Sequence, residues 1–105
     1  SQPISMAFSV KFTSTLTGTI SDLDVLIQGE LVSSPGYKVA LTEDYTTHGV
    51  LTVKYQVSGD NGTDFTITYA CTTAGTDAKD PGQPSPVKGT IVKNGYTELT
   101  LTIDV

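Results

Sequence analysis

Val50–Cys71 reads VLTVKYQVSGDNGTDFTITYAC, and this stretch predicts the fold more clearly than any other. Apolar residues alternate with polar ones on both sides of the turn-forming residues SGDNG (58–62). Such alternation around a Gly/Asp/Asn turn is typical of a β-hairpin with one buried face. We therefore predict that strands 50–57 and 63–71 pair with each other at the centre of a sheet. The predicted inward residues are Leu51, Val53, Tyr55, Val57, Phe65, Ile67, Tyr69 and Cys71.

Alternation of the same kind recurs along the rest of the chain. It predicts further strands at 2–13, 23–32, 37–41, 87–93 and 96–105, with a weaker candidate at 15–20. Asn94-Gly95 predicts a second, type I′ hairpin turn, whereas residues 43–49 and 74–86 are predicted to be irregular. Seven or eight strands without helical periodicity predict an all-β fold, an antiparallel β-sandwich of immunoglobulin-like or jelly-roll-like type. A closed barrel is the main alternative. The length of 105 residues predicts a single domain, 1–105.

Asp64–Cys71, DFTITYAC, resembles the strand of immunoglobulin domains that carries Tyr-x-Cys. The resemblance covers eight residues and implies an immunoglobulin-like sandwich with Tyr69 as its corner tyrosine. The chain departs from that family because it has one Cys and no Trp, so the core disulfide and the core Trp are both missing. The resemblance therefore bears on architecture and not on binding.

The composition favours an extracellular or cell-surface location and argues against nucleic acid. Thr occurs 18 times, whereas the chain has six Lys, no Arg and a net charge of −5. Threonine suits exposed positions of strands, and phosphate backbones are bound by clustered Lys and Arg, which this chain lacks. No apolar run approaches the ~18 residues of a membrane helix, so membrane insertion is not expected.

No catalytic constellation is evident, and we predict that the chain is not an enzyme. His48 and Cys71 are the single His and the single Cys. A thiol nucleophile needs a neighbouring base and an electropositive, partly exposed site. Cys71 shares the parity of Phe65 and Ile67, which predicts a buried thiol, while His48 falls in a predicted loop.

The loops suggest ligand binding as an alternative function. Residues with side-chain oxygens occur at the turn 58–64 and in the long loop 74–86. The loops at one end of a sandwich could bring these two sets together. The first set is Asp60, Asn61 and Asp64, and the second is Asp77 and Asp80. Such oxygens are ligands for calcium, the one cofactor that these residues suggest, although turns favour the same residues because they stabilise the backbone of a turn. Carbohydrate, a protein partner, or a protease inhibited through the proline-rich loop 74–86 are further alternatives.

The first strand suggests assembly. It is apolar on one face, and an edge strand of this kind can complete its own sheet or insert into a neighbour's. The residues on that face are Ile4, Met6, Phe8, Val10 and Phe12. We therefore expect a non-catalytic structural or adhesion module at the cell surface, which binds a protein partner or itself through its terminal strands.

Overall fold

The structure, a computed structural model, describes residues 8–32, 38–45, 49–73, 76–79 and 82–105. These residues form nine strands and no helix, and two of the strands have only two residues. The strands are β1 (Phe8–Thr17), β2 (Asp22–Ile27), β3 (Glu30–Leu31), β4 (Lys38–Tyr45), β5 (Val50–Ser58), β6 (Asp64–Thr73), β7 (Thr76–Asp77), β8 (Val87–Thr90) and β9 (Tyr96–Asp104).

The strands form two antiparallel sheets. The five-stranded sheet has the order β4-β1-β6-β7, with β8 also paired to β6, and the four-stranded sheet has the order β3-β2-β5-β9. The prediction of an all-β antiparallel fold is confirmed, and the arrangement in two sheets fits a β-sandwich. The immunoglobulin or jelly-roll type is not confirmed.

One core lies between the sheets, and the alternation in the sequence predicted most of it. The inward residues of β5 are fully buried, as are Ile67 of β6 and Leu101 and Ile103 of β9. Tyr69 is the exception among the inward residues of β6, because it is only partly buried. Cys71 lies in the core, as predicted. Burying such side chains contributes about 1.5–3 kcal/mol for each large apolar residue.

The predicted central hairpin is wrong. β5 pairs with β2 and β9, whereas β6 pairs with β1, β7 and β8, so the two strands belong to different sheets. Residues 59–63 cross from one layer to the other, over the roughly 10 Å that separates packed sheets. Each strand is central in its own sheet, because each is paired on both sides.

The turn at Asn94-Gly95 has φ angles of 55° and 68°, both in the left-handed region that a type I′ turn requires. Only Lys93 and Tyr96 pair across it. β8 before this turn and β9 after it belong to different sheets, so the predicted hairpin turn does not join two paired strands.

The first strand does not lie at an edge. Val10–Thr15 pair with β4 on one side and β6 on the other, and Val10 and Phe12 are fully buried. Phe8 pairs with Tyr45 through the backbone, whereas Ile4 and Met6 lie outside the described residues. The prediction of an irregular segment from Glu43 is also wrong, since β4 continues to Tyr45 at the edge of the sheet, where charged residues are common.

Candidate functional site

The connection between β5 and β6, residues 59–63, forms the tip of the sandwich at one end. It lies against the connection between β8 and β9. The backbone N–H of Gly62 donates to the carbonyl of Ile91 at 2.6 Å, and the N–H of Ile91 donates to the carbonyl of Thr63 at 2.9 Å. The N–H of Gly59 donates to the carbonyl of Gly95 at 2.9 Å. The tip is therefore held by backbone hydrogen bonds to a neighbouring turn.

Two of the three candidate ligand residues near the tip already accept hydrogen bonds. Oδ1 of Asn61 accepts from the backbone N–H of Gly95 at 2.9 Å, and Oδ1 of Asp64 accepts from the hydroxyl of Thr90 at 2.6 Å. Asp60 is exposed. A calcium ion at this tip would have to compete with these hydrogen bonds for the oxygens of Asn61 and Asp64.

The two sets of predicted ligand residues do not come together. Asp64 begins β6, whereas Asp77 pairs with Thr72 near the other end of the same strand. Thr72 lies eight positions after Asp64 along the extended strand, which corresponds to about 26 Å. Asp80 lies outside the described residues. Within the described part of the chain, no group of three or more His, Cys, Asp and Glu side chains could hold a metal ion.

The second predicted binding surface was the loop 74–86, which was expected to be irregular; β7 occupies part of it, so that expectation is wrong for Thr76–Asp77. We call the part after β7 the side loop, residues 78–86 with 80 and 81 not described. On the side of β6 that faces away from β1, β8 pairs with Asp64–Ile67 and β7 with Thr72–Thr73, so no described strand pairs with the stretch of β6 between them on that side. The side loop occupies this position. The N–H of Ala78 donates to the carbonyl of Cys71 at 3.0 Å, and the N–H of Tyr69 donates to Oγ of Ser85 at 3.0 Å.

The side loop also reaches the four-stranded sheet. Gly82 has a φ of 73° and lies directly against the backbone carbonyl of Thr102, on the outer edge of β9. A Cβ at position 82 would overlap that oxygen. The loop thus spans the side of the sandwich, from β6 of one sheet to β9 of the other. No residue pattern other than the Gly itself indicates this contact, because the partner is a backbone atom distant in the chain.

Tyr69 holds the side loop in place, which differs from the role that the immunoglobulin resemblance implied. Its hydroxyl donates to the backbone carbonyl of Gln83, fourteen residues later in the chain. Its ring lies 6.1 Å from that of Phe12, with an interplanar angle of 25°. A corner tyrosine instead binds backbone a few residues upstream.

Two groups in the core have shifted pKa values. Burial raises the pKa of the Cys71 thiol, which disfavours the reactive thiolate. Burial also raises the pKa of Tyr55 to about 12, although the hydrogen bond to Ser14 acts in the opposite direction. The hydroxyls of Tyr55 and Ser14 are 2.5 Å apart and join the two sheets through the core. His48 lies outside the described residues.

The longest strands at sheet edges are β4 and β9. β4 pairs with β1 on one side, and no described strand lies on its other side. β9 pairs with β5, and Gly49 and Val105 form a hydrogen-bonded pair at the end of this ladder. In an antiparallel ladder, every second residue directs its N–H and C=O groups towards the partner strand. The backbone groups of Thr100 and Thr102 therefore point away from β5. Because Gly82 covers the carbonyl of Thr102, the edge of β9 is partly closed.

Comparisons with known proteins add no relative. A scan against protein-family models, a search of curated proteins and a search of solved structures each found no match. Among the described residues, no helix is long and apolar enough to cross a membrane.

Proposed function

We propose that the chain is a non-catalytic structural or adhesion module of an extracellular or cell-surface protein, and that it associates with a second copy of itself through β4. The observation that carries this proposal is the edge position of β4, whose eight residues pair with β1 on one side and meet no described strand on the other. An exposed edge strand is a template for pairing with another chain.

The remaining features support a structural rather than a catalytic role. The thiol of Cys71 is buried in the core, and the oxygens of Asn61 and Asp64 take part in hydrogen bonds that stabilise the tip. Threonine supplies many exposed positions of the strands, in place of the Lys, Glu and Arg that are common on cytosolic proteins. These features favour a location outside the cell.

β4 is a better candidate for assembly than either terminal strand. β1 is paired on both sides, so exchanging it would separate Val10 and Phe12 from the core. β9 is a terminal strand at an edge, but Gly82 covers part of that edge. We therefore propose that assembly occurs through β4, which pairs with β1, and not through the first strand as expected from the sequence.

The sequence of β4, KVALTEDY, supports pairing between two copies. Two β4 strands that run antiparallel and are centred on Leu41 would place position 38 of each copy opposite position 44 of the other. One position carries Lys and the other Asp, and opposite charges across a pair of strands are favourable by about 0.2–1 kcal/mol. Because the contact is twofold symmetric, this gain occurs twice.

A charge exchange tests the proposal. Lys38→Asp and Asp44→Lys, made singly, place like charges opposite each other and should weaken the dimer at least severalfold. The double variant restores opposite charges and should recover the affinity of the natural chain. Sedimentation velocity over a concentration series measures all four proteins, and circular dichroism establishes that each remains folded.

Two outcomes would overturn the proposal. One is a natural chain that stays monomeric at the highest soluble concentration. The other is a dimer whose affinity neither single variant changes, or one that the double variant fails to restore.

A further inference from the structure

Both asparagines of the chain precede a glycine, and the structure brings the two Asn-Gly pairs together at one end of the sandwich. Asn61-Gly62 lies in the tip, and Asn94-Gly95 forms the turn between β8 and β9. The backbone N–H of Gly95 donates to Oδ1 of Asn61 at 2.9 Å. One pair thus contacts the other directly, so a chemical change in one pair affects the other.

An Asn-Gly pair can react with itself in water. The backbone nitrogen of the glycine, once it has lost its proton to hydroxide, attacks Cγ of the asparagine. The new C–N bond closes a cyclic imide, while the bond between Cγ and Nδ2 breaks and ammonia leaves. Water then opens the imide at either carbonyl and yields aspartate or isoaspartate. Glycine favours this deamidation because it has no Cβ to obstruct the approach and allows the necessary backbone rotation.

The two attacking nitrogens are held to different extents in the folded chain. The N–H of Gly62 donates to the backbone carbonyl of Ile91, a fully buried residue, at 2.6 Å. The N–H of Gly95 donates instead to the side chain of Asn61, which is exposed. Attack requires the glycine nitrogen to leave its hydrogen bond. Gly95 therefore leaves an exposed side chain, whereas Gly62 must leave the carbonyl that fixes the tip.

The two side chains under attack differ in the same direction. Reaction at Asn61 requires its side chain to turn towards Gly62, which also breaks the hydrogen bond between Oδ1 and the N–H of Gly95. The side chain of Asn94 is exposed and forms no hydrogen bond within the described part of the chain. Asn61 must therefore break two of these hydrogen bonds before it reacts, and Asn94 must break one.

We propose that Asn94 is a site of spontaneous deamidation, that the fold protects Asn61, and that reaction at Asn94 ends this protection. Isoaspartate at position 94 adds one atom to the main chain of a tight turn. It therefore displaces Gly95 from Oδ1 of Asn61 and from the N–H of Gly59, which donates to the carbonyl of Gly95 at 2.9 Å. Each reaction also adds a negative charge to a chain whose net charge is −5. This inference is independent of dimer formation through β4.

The test is a time course of the folded natural chain at mildly alkaline pH. Ion exchange separates the singly and doubly deamidated forms, and peptide mapping by mass spectrometry locates aspartate and isoaspartate in each. Position 94 should react at least about fivefold faster than position 61, because one hydrogen bond fewer must break. The singly deamidated form should therefore be changed at position 94. In the chain unfolded by urea, the two positions should react at similar rates.

Two variants at position 61 isolate the contact between the pairs. Asn61→Asp keeps an oxygen that accepts from the N–H of Gly95 and should not raise the rate at Asn94, since a charged acceptor strengthens the bond. Asn61→Ala removes the acceptor and should raise that rate at least about twofold. Circular dichroism establishes that both variants remain folded.

A variant at position 94 tests the order of the two reactions. Asn94→Gln lengthens the side chain and disfavours the imide, so it should keep Asn61 unreacted for as long as the chain stays folded. Glutamine is accommodated at a positive φ elsewhere in this chain, since Gln28 has a φ of 52°. In the natural chain, by contrast, Asn61 should react faster once isoaspartate has formed at position 94.

The inference is overturned if the folded natural chain reacts at position 61 as fast as at position 94, or if neither position reacts while both react in urea. It is equally overturned if Asn61→Ala and Asn61→Asp give the same rate at Asn94. A rate at Asn61 that is the same in Asn94→Gln and in the singly deamidated natural chain would also overturn it.

Discussion

The tip and the side loop both consist of turn-forming residues, but they are held in different ways. The tip has two Gly, one Asp and one Asn, whereas the side loop has three Pro with one Gly and one Asp, and the sequence suggested a binding surface at each. The tip, residues 59–63, is fixed by hydrogen bonds to the adjacent turn between β8 and β9. The side loop contacts strands of both sheets, through Tyr69 on one side and Thr102 on the other. The difference shows that turn-forming residues can cap the end of a sandwich or close its side.

The largest effect should come from an added methyl group in the side loop. Gly62 at the tip and Gly82 in the side loop both have positive φ angles, of 87° and 73°. A Cβ at position 62 meets nothing within 4 Å, whereas one at position 82 overlaps the carbonyl of Thr102. Gly62→Ala should therefore cost about 1 kcal/mol of unfolding free energy, from backbone strain alone. Gly82→Ala should cost at least about 3 kcal/mol.

Urea denaturation of the two alanine variants measures this difference. Equal losses of unfolding free energy in the two variants would show that the side loop can move away from β9 without loss of stability. The tip and the side loop would then not differ in how firmly they are held.

The next effect should come from removing the buried hydroxyl of Tyr55. Its size provides a comparison for Tyr69, whose hydroxyl binds the side loop. Tyr55→Phe leaves the hydroxyl of Ser14 buried without its partner, and should cost about 1–3 kcal/mol. The pKa of Tyr55 is raised to about 12 in the folded chain, above its usual value of 10.0. The neutral phenol therefore contributes its full stabilisation below about pH 10 and loses it as the pH rises towards 12.

The urea midpoint at a mildly alkaline and a strongly alkaline pH, for the natural chain and for Tyr55→Phe, checks this dependence. The natural chain should lose more stability than the variant between the two conditions. An identical loss would mean that Tyr55 ionises as readily in the folded chain as in the unfolded one.

A smaller effect is expected from Tyr69→Phe. The hydroxyl of Tyr69 binds the carbonyl of Gln83 in a partly solvated position, so water can replace it. We expect a loss of about 0.5–1.5 kcal/mol. Hydrogen exchange should localise the change to the side loop, whereas Tyr55→Phe should accelerate exchange in β1 and β5. Faster exchange at the tip in Tyr69→Phe would contradict the separation of the two loops.

The smallest effect should come from the tip. Asn61→Ala removes one exposed hydrogen bond to the N–H of Gly95 and should cost about 0.5 kcal/mol. Excess calcium should leave the melting temperature of the natural chain unchanged, because the oxygens of Asn61 and Asp64 already accept hydrogen bonds. A rise that Asn61→Ala abolishes would instead assign a calcium site to the tip, since a ligand that binds only the folded state must stabilise it.

The faces of the strands could be predicted from the sequence, but the partners of the strands could not. Alternation is local, so the burial of residues such as Val53 or Leu101 follows from their parity. Pairing is not local, since β5 pairs with β9 rather than with β6. The residues SGDNG (58–62) are compatible both with a hairpin turn and with a connection between two sheets. The charged end of β4 resembled a loop, although Val39, Leu41 and Tyr45 continue one alternation. The contact between Gly82 and Thr102 depends on two distant backbone segments coming together.

Strands that are neighbours in the chain pair only at β2–β3 and β6–β7 among the described residues, and each pair includes a strand of two residues. Long hairpins therefore cannot form early and guide the rest of the chain. Folding must close large loops before the long ladders are made, which predicts a slow rate for a domain of this size. During synthesis, β5 lacks one of its two partner strands until β9 has been made. Until then its apolar face and one edge stay open to chaperones and to other chains.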